Sequence, residues 1–317
     1  MTMPMSGASM PSIELTPSVM SQQLIADLDG DQTSIAQLQE QLSTGNQVNQ
    51  PSDNPAEAAN IMQINAALTR ANTYAQNASD GLGWLQTGNS TMSEIISTLQ
   101  QVQQSVLSIS SASLSGSTSG LQALADQVSS AQQALLNLAN TTYNGQAIFA
   151  GTGNVTTAYD SSGTYVGGGN APTRTVAPGT TIPIAVTGQS VFGSGTTGLL
   201  STVPGSLGVL AQIAQDISTG TQASLANAMG PDLQNLDDAI NTVEDQAAEL
   251  GAQYQQMSSM QQQATNSQAA LNTELSGIQS VNLPQAMTNL QLQQNSYQTA
   301  LWATAQLNQP TLASFLS

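Results

Sequence analysis

This sequence predicts a mainly α-helical fold with a small β domain inserted in its middle. Three observations carry that prediction. Both ends place apolar residues at alternating steps of three and four, the seam of long packed helices. The middle, from about residue 143 to 205, is rich in Gly, Thr, Val, Ser and Pro instead. Each helical half presents one apolar edge and has no core of its own. The N- and C-terminal halves are therefore expected to pack on each other as a long antiparallel coiled-coil helical bundle. The expected division has five parts. Residues 1–45 form the N-terminal helix of a terminal coiled-coil domain, and 46–142 the first half of a helical rod. Residues 143–205 form the β domain, 206–283 the second half of the rod, and 284–317 the C-terminal helix.

The first helix follows Leu24, Leu28, Ile35, Leu38 and Leu42, with Asp31 standing in one seam position. Gly45 sits where a glycine ends a helix, because only glycine takes the left-handed conformation without penalty. Pro51 disfavours helix at Gln50 and keeps the link extended. Restart signals are dense. Asp53 precedes Asn54, a good N-cap; Pro55 suits the first helical position, and Glu57 falls where a capping box wants it. The same residues suit an ordinary helix–helix corner or a joint between two rods.

The second helix reads Ile61, Ile64, Leu68, Ala71, Ala75, Ala78, Leu82 and Leu85, then Met92, Ile96, Leu99 and Val106, with Asn89 and Gln103 in the skipped positions. SASLSGSTSG (Ser111 to Gly120) breaks it, and Leu121 to Leu138 resumes the pattern. In the β domain, TRTVA (Thr173 to Ala177) and GTTIPIAVTG (Gly179 to Gly188) read as neighbouring strands around a Pro178-Gly179 turn. Ile182, Ile184 and Val186 share one face there, and Pro183 points to an edge strand. The C-terminal half runs from Leu233 through Leu236, Ile240, Val243, Ala247, Leu250, Tyr254 and Met257 to Ile278. Pro231 is expected in its first turn. A helix from Asp232 to Gln279 would be on the order of 70 Å long at ~1.5 Å per residue. Pro284 interrupts it, and a last amphipathic stretch runs from Ala286 to Leu307.

Composition narrows function. Charged residues are 7% of the 317 and aromatics 3%, with Gln, Ser, Asn, Thr and Ala in the polar positions. Globular chains usually carry about 25% charged residues. Uncharged surfaces of this kind suit packing between neighbouring copies. The net charge is −17, from 19 acids against Arg70 and Arg174 alone. Nucleic acid and anionic membranes are poor partners for such a chain, since both need clustered cations. No run approaches the ~20 apolar residues of a membrane span. Residues 1–18 lack the basic and apolar regions of a cleaved signal, so the expected location is cytoplasmic, or outside by a route that does not read one.

No enzyme and no cofactor are expected. Cys, His and Lys are absent, so the many serines have no conventional base to activate them. Gly151-Thr152-Gly153 lacks the rest of a nucleotide loop. Registering a calcium loop on Asp27, Asp29 and Asp31 puts Gln32 at the required glycine and Leu38 at the bidentate glutamate. Asp237-Asp238 and Glu244-Asp245 read as a solvated face. Trp84 is expected in the core, and Trp302 at a contact between subunits. The missing lysines fit either an acidic external medium or compositional drift.

LQEQLSTGNQVNQPSDNPAEAANI (Leu38 to Ile61) resembles the signature of the bacterial flagellin family. So do, in the same order, NLANTTYNGQAIFAGT from Asn137, VAPGTTIPIAVTGQSVFG from Val176, and the region from Leu250 to Ser317. The ending QPTLASFLS and the run Pro51 to Pro55 resemble the family's hook–filament junction members more than its filament subunits. One departure is Asn46-Gln47, where the family usually has Lys-Arg. Arg174 lies where the family carries a basic residue in its β domain, and surface solvation is its expected role.

The resemblance implies a structural subunit: copies forming a ring that joins a hook-side junction protein to flagellin. It implies flagellar type III export, a cytoplasmic chaperone holding the C-terminal helix, and an extracellular place on the flagellum. The assembly interface it implies comprises Leu24, Leu28, Ile35, Leu38 and Leu42, with Leu290, Tyr297, Leu301, Trp302, Leu307, Leu312, Phe315 and Leu316. Gly45, Pro51, Asp53, Asn54, Pro55 and Glu57 form the joint between domains. Competing expectations are a filament-forming flagellin and a secreted coiled-coil adhesin or type III translocator. The terminal helices, short and thinly apolar, are expected to fold only on assembly.

Overall fold

A computed structural model describes residues 17–110, 118–153, 155–193, 198–219 and 222–307. Three helices come first: α1 (Pro17–Thr44), α2 (Pro55–Ser110) and α3 (Thr118–Ala139). Short β elements follow as β1 (Thr142–Tyr143), β2 (Gln146–Ala147), β3 (Thr173–Ala177) and β4 (Thr180–Pro183). Then come α4 (Gly188–Phe192), β5 (Thr202–Val203), β6 (Ser206–Leu207), α5 (Val209–Thr219), α6 (Gln222–Gln279) and α7 (Leu283–Leu307). Two compact units result: Leu68–Ala270, and Met1–Ala67 with Leu271–Ser317. No helix among the described residues is long and apolar enough to cross a membrane.

In the unit Leu68–Ala270, α2 and α6 run antiparallel. Gln268 donates to the Ala71 carbonyl, Gly81 faces Met257, Gly88 faces Leu250 and Gln103 donates to Asp237. As α2 advances, α6 retreats in step, so the two halves of the sequence do zip together here. The glycines allow close approach: a Cβ on Gly88 would lie 2.6 Å from a Leu250 methyl. The buried line along α2 is Leu85, Met92, Ile95, Leu99, Val102 and Val106. This corrects the expected seam, which ran through Ile96 and Gln103. Ile96 is half-buried beside the core, and Gln103 reaches Asp237 with its amide. Met92, Leu99 and Val106 belong to both lines, and the intermediate residues fall three positions on, at Ile95 and Val102, rather than four.

Helix α5 packs on α3 through Leu210, Ile213 and Ile217, a short seam not anticipated in the sequence reading. A second correction concerns Pro231, which lies inside α6 rather than in its first turn. Leu225 and Met229 are buried upstream of it and carry the helix back to Gln222. Their burial, about 1.5–3 kcal/mol each, offsets the roughly 3 kcal/mol an interior proline costs.

Among the described residues, the β region holds three antiparallel hairpins, β1–β2, β3–β4 and β5–β6. Two-residue loops close all three. Asn144 and Gly145 both have positive φ, the geometry a twisted hairpin prefers. Pro178-Gly179 and Pro204-Gly205 close the others, with glycine φ of 72° and 81°. Ile182, Ile184 and Val186 are buried as expected, but so is Ala185, because β4 ends at Pro183 and the chain beyond runs through the core. Phe149, Phe192, Tyr159 and Tyr165 form an aromatic cluster with centroids 5.3–5.7 Å apart. Trp84 is buried against Tyr143, as expected of a core position.

Arg174 is not simply solvated. Its Nε and Nη2 both reach Asp80 Oδ2, at 2.9 and 2.8 Å, and tie β3 to α2. Both side chains are about one-third exposed, so the pair fixes position more than it adds stability.

Candidate assembly surface

The other unit contains α1, the link 45–54, the start of α2, the end of α6 and α7. Here α1 packs along α7. One polar pair crosses their interface: Gln293 Nε2 donates to Asp31 Oδ1 at 2.7 Å. Asp31 is the residue that stands in a seam position of the sequence, and an amide from α7 completes it.

The joint is built by backbone bonds. Gly45 ends α1 at φ 73°, with its N–H on the Gln41 carbonyl. The chain leaving α1 then lies beside the chain leaving α6. Gln47 N–H donates to the Gln279 carbonyl at 2.7 Å, and Val281 N–H to the Gly45 carbonyl at 3.0 Å. Past Pro51, Asp53 Oδ2 accepts from the N–H groups of Asn49 and Gln50, at 3.0 and 2.9 Å. Asn54 caps α2 by accepting from Glu57 N–H, with Pro55 at the first helical position. Glu57 Oε2 is buried without a partner. Asn282 caps α7 in the same manner as Asn54 caps α2, through Gln285 N–H.

Coverage of the apolar residues differs sharply between the two units. Among the described residues, only Val48, Ala58, Ile64 and Ala286 are buried apolar residues of this unit. Leu24, Leu28, Ile35, Leu38, Leu42, Leu290 and Tyr297 are half-buried. Leu301 is exposed, and Trp302 is 77% exposed. Met287 and Leu292, absent from the sequence-based set, are 64% and 67% exposed. The side chain of Leu307, and Leu312, Phe315 and Leu316 entirely, lie outside the described residues. Two helices cannot enclose a core between them alone, so every seam residue keeps one flank open. Leu292 lies off the seam, whereas Met287 continues the spacing of Leu290, Tyr297 and Leu301 and was legible from it.

Two electrostatic features lie in the other unit. Asp160 accepts from Ser162 Oγ and from the Ser162 and Thr164 N–H groups, which hold its carboxyl below the usual range. Asp232 was not singled out by sequence. It is 5% exposed, its Oδ2 has no partner, and it lines a cavity of about 410 Å³ with Gln212, Gln215 and Asn235. Burial first, and Asp216 second, push its carboxyl up to about 6.

Similarity to known proteins covers both helical ends. The model of the bacterial flagellin N-terminal helical region matches residues 17–154, and that of the C-terminal helical region matches 233–316. Flagellar hook-associated protein 3 of Escherichia coli (strain K12) is 24% identical over 297 residues, covering 89% of this chain and 93% of its own. Bacillus cereus FlgL superposes with a TM-score of 0.55 at 20% identity, over 68% of this chain and 99% of that one. Hook-associated protein-3 of Legionella pneumophila gives 0.57 at 15% identity, over 69% and 98%.

Proposed function

From the premise that this chain belongs to the bacterial flagellin family, we propose that it is a structural subunit of the flagellum. It joins the hook to the filament as a ring of copies between a hook-side junction protein and flagellin. The similarity to hook-associated protein 3 along most of both chains supports this placement. The observation that carries the physical side is the uncovered apolar flank of the terminal helix pair, with Met287, Leu292 and Trp302 the most open side chains. Neighbouring copies with the same flank supply the surface that α1 and α7 lack. Before assembly, α1 and α7 are marginal; packing between copies completes their folding.

The chain reaches its place by the flagellar type III route, and a cytoplasmic chaperone covers the C-terminal helix until export.

Labelled electron microscopy of intact flagella tests the placement. A single band between hook and filament is the expected result, and cells lacking the protein should make hooks yet shed flagellin into the medium. Label distributed along the whole filament, or long homopolymers grown from purified protein, would instead make this chain a filament subunit.

A further inference from the structure

The unit holding α1 and α7 has no positive side chain. Residues 1–67 and 271–317 contain eight carboxylates and neither Arg, Lys nor His. Asp27, Asp29, Asp31 and Glu40 lie on α1, Asp53 and Glu57 in the joint and first turn of α2, and Glu274 near the end of α6. Glu14 precedes the described residues. Helix α7 contributes no charge, its one titratable side chain being Tyr297. Exposed Ile25 lies in sequence beside the exposed carboxylates Asp27 and Asp29, so covering the apolar flank brings carboxylates toward the carboxylates of the next copy.

Inside each copy six carboxylates accept from glutamine amides. Gln293 donates to Asp31, Gln23 to Asp27, Gln122 to Asp126, Gln212 to Asp216, Gln253 to Glu249 and Gln103 to Asp237. A lysine–carboxylate bridge loses its Coulombic part when the carboxylate takes up a proton. An amide N–H donates to the carbonyl oxygen of a neutral carboxyl as readily, and the new O–H can donate to the amide oxygen. Acid therefore removes repulsion between copies and leaves the pairs within a copy made.

We infer that self-association of this chain is gated by protons. Near neutral pH the all-acidic terminal unit holds copies apart. Acidification neutralises it, and the apolar flanks of α1 and α7 meet. This rests on the reading that copies assemble through those flanks. Carboxylates as a class lose their charge near pH 4, and a net charge far from zero keeps chains apart. A subunit made in a neutral cytoplasm and delivered to an acidic exterior would thus associate only where it is needed.

The test is sedimentation velocity of the full chain at fixed ionic strength, at about pH 7 and about pH 4, where about half of ordinary carboxylates carry a proton. Association should begin at a protein concentration at least ~10-fold lower in acid, a difference of about 1.4 kcal/mol. The combined variant Asp27→Asn, Asp29→Asn, Glu40→Gln should associate at pH 7 as the natural chain does in acid. Trp302→Ala should abolish association in both backgrounds. Equal association of the natural chain at both pH values overturns the gate and leaves self-assembly standing. Acid-formed particles insensitive to Trp302→Ala would be isoelectric precipitate, which also overturns it. A chain that is monomeric throughout removes the gate and the self-assembly it rests on.

Discussion

Replacing Asp232 with asparagine should stabilise the protein at neutral pH and change little in acid. The perturbation is nearly isosteric, and it removes a charge that nothing around it compensates. Asp232 is 5% exposed and its Oδ2 is unpartnered. On α5 the nearest charged group is Asp216, which is held by Gln212. Later on α6 come Asp237, bonded to Gln103, and the exposed Asp238. The hairpin β5–β6 carries no charge, α3 carries only Asp126, and Arg174 is already committed to Asp80. The carboxyl is pushed from 3.8 to about 6. A native value above the unfolded one means that the folded chain binds the proton more tightly. Stability is then fully present below about pH 4 and falls as pH rises through 6. At ~1.4 kcal/mol per unit, the ionised group costs at most about 3 kcal/mol, and water entering the open cavity reduces that to roughly 1–2.

Urea denaturation at a series of pH values measures this. A Trp302→Phe background leaves Trp84, in the core of the same unit, as the one remaining tryptophan. The natural chain should lose stability between pH 4 and 7 relative to Asp232→Asn, and the two curves should converge in acid. Using the difference between two proteins cancels the repulsion among the other acids. Parallel curves, or an asparagine variant less stable at neutral pH, would refute the reasoning. They would mean that Asp232 is solvated, or that its ionised form has a partner.

Three further outcomes follow from particular contacts. Trp302→Ala and Leu292→Ala should leave the urea midpoint of the monomer within about 0.5 kcal/mol, because both side chains are open, while abolishing association by light scattering. Asp53→Ala should cost about 1–3 kcal/mol of local stability, since Asn49 and Gln50 N–H lose their acceptor, and hydrogen exchange at those two amides should accelerate. Gly163→Ala should lower the melting temperature markedly. Its φ is 72° and an added Cβ would lie 2.0 Å from the Leu200 carbonyl oxygen, a clash with backbone that must be relieved by moving the loop, at about 2 kcal/mol or more.

Helix existence and direction were legible in the sequence because the signals are local and repeated. The stretch Leu233 to Met257 is half-buried or buried at every expected position. Gly45, Asn54 and Pro55 act as their types suggest, since capping is decided within four residues. What the sequence could not give was the second partner of a contact. Asp31 was visible as an acid in an apolar seam, but Gln293 is one of many glutamines. Asp53 was part of the joint, yet its bond to two upstream N–H groups depends on a turn that no single residue specifies. The Asn144-Gly145 hairpin was readable and missed, for its two-residue strands are too short to alternate. The phase of α2 beyond Met92 failed because Ile95 and Ile96 are both apolar, and only packing chooses between them.

On the proposed assembly, the thin coverage of α1 and α7 favours several neighbours over one. Full burial of a large apolar side chain is worth about 1.5–3 kcal/mol, so Met287, Leu292 and Trp302 together offer roughly 5–9 kcal/mol before costs. Bringing two proteins together costs an estimated 4–15 kcal/mol, plus the ordering of helices that are marginal alone. One such contact is close to break-even. A copy with neighbours on several sides covers further open residues, among them Val19, Ile25 and Leu283, while its helices are ordered only once. Stability then rises faster than the number of neighbours. A chain that assembles through these flanks, as proposed, should therefore associate cooperatively, with several neighbours gained together rather than one at a time.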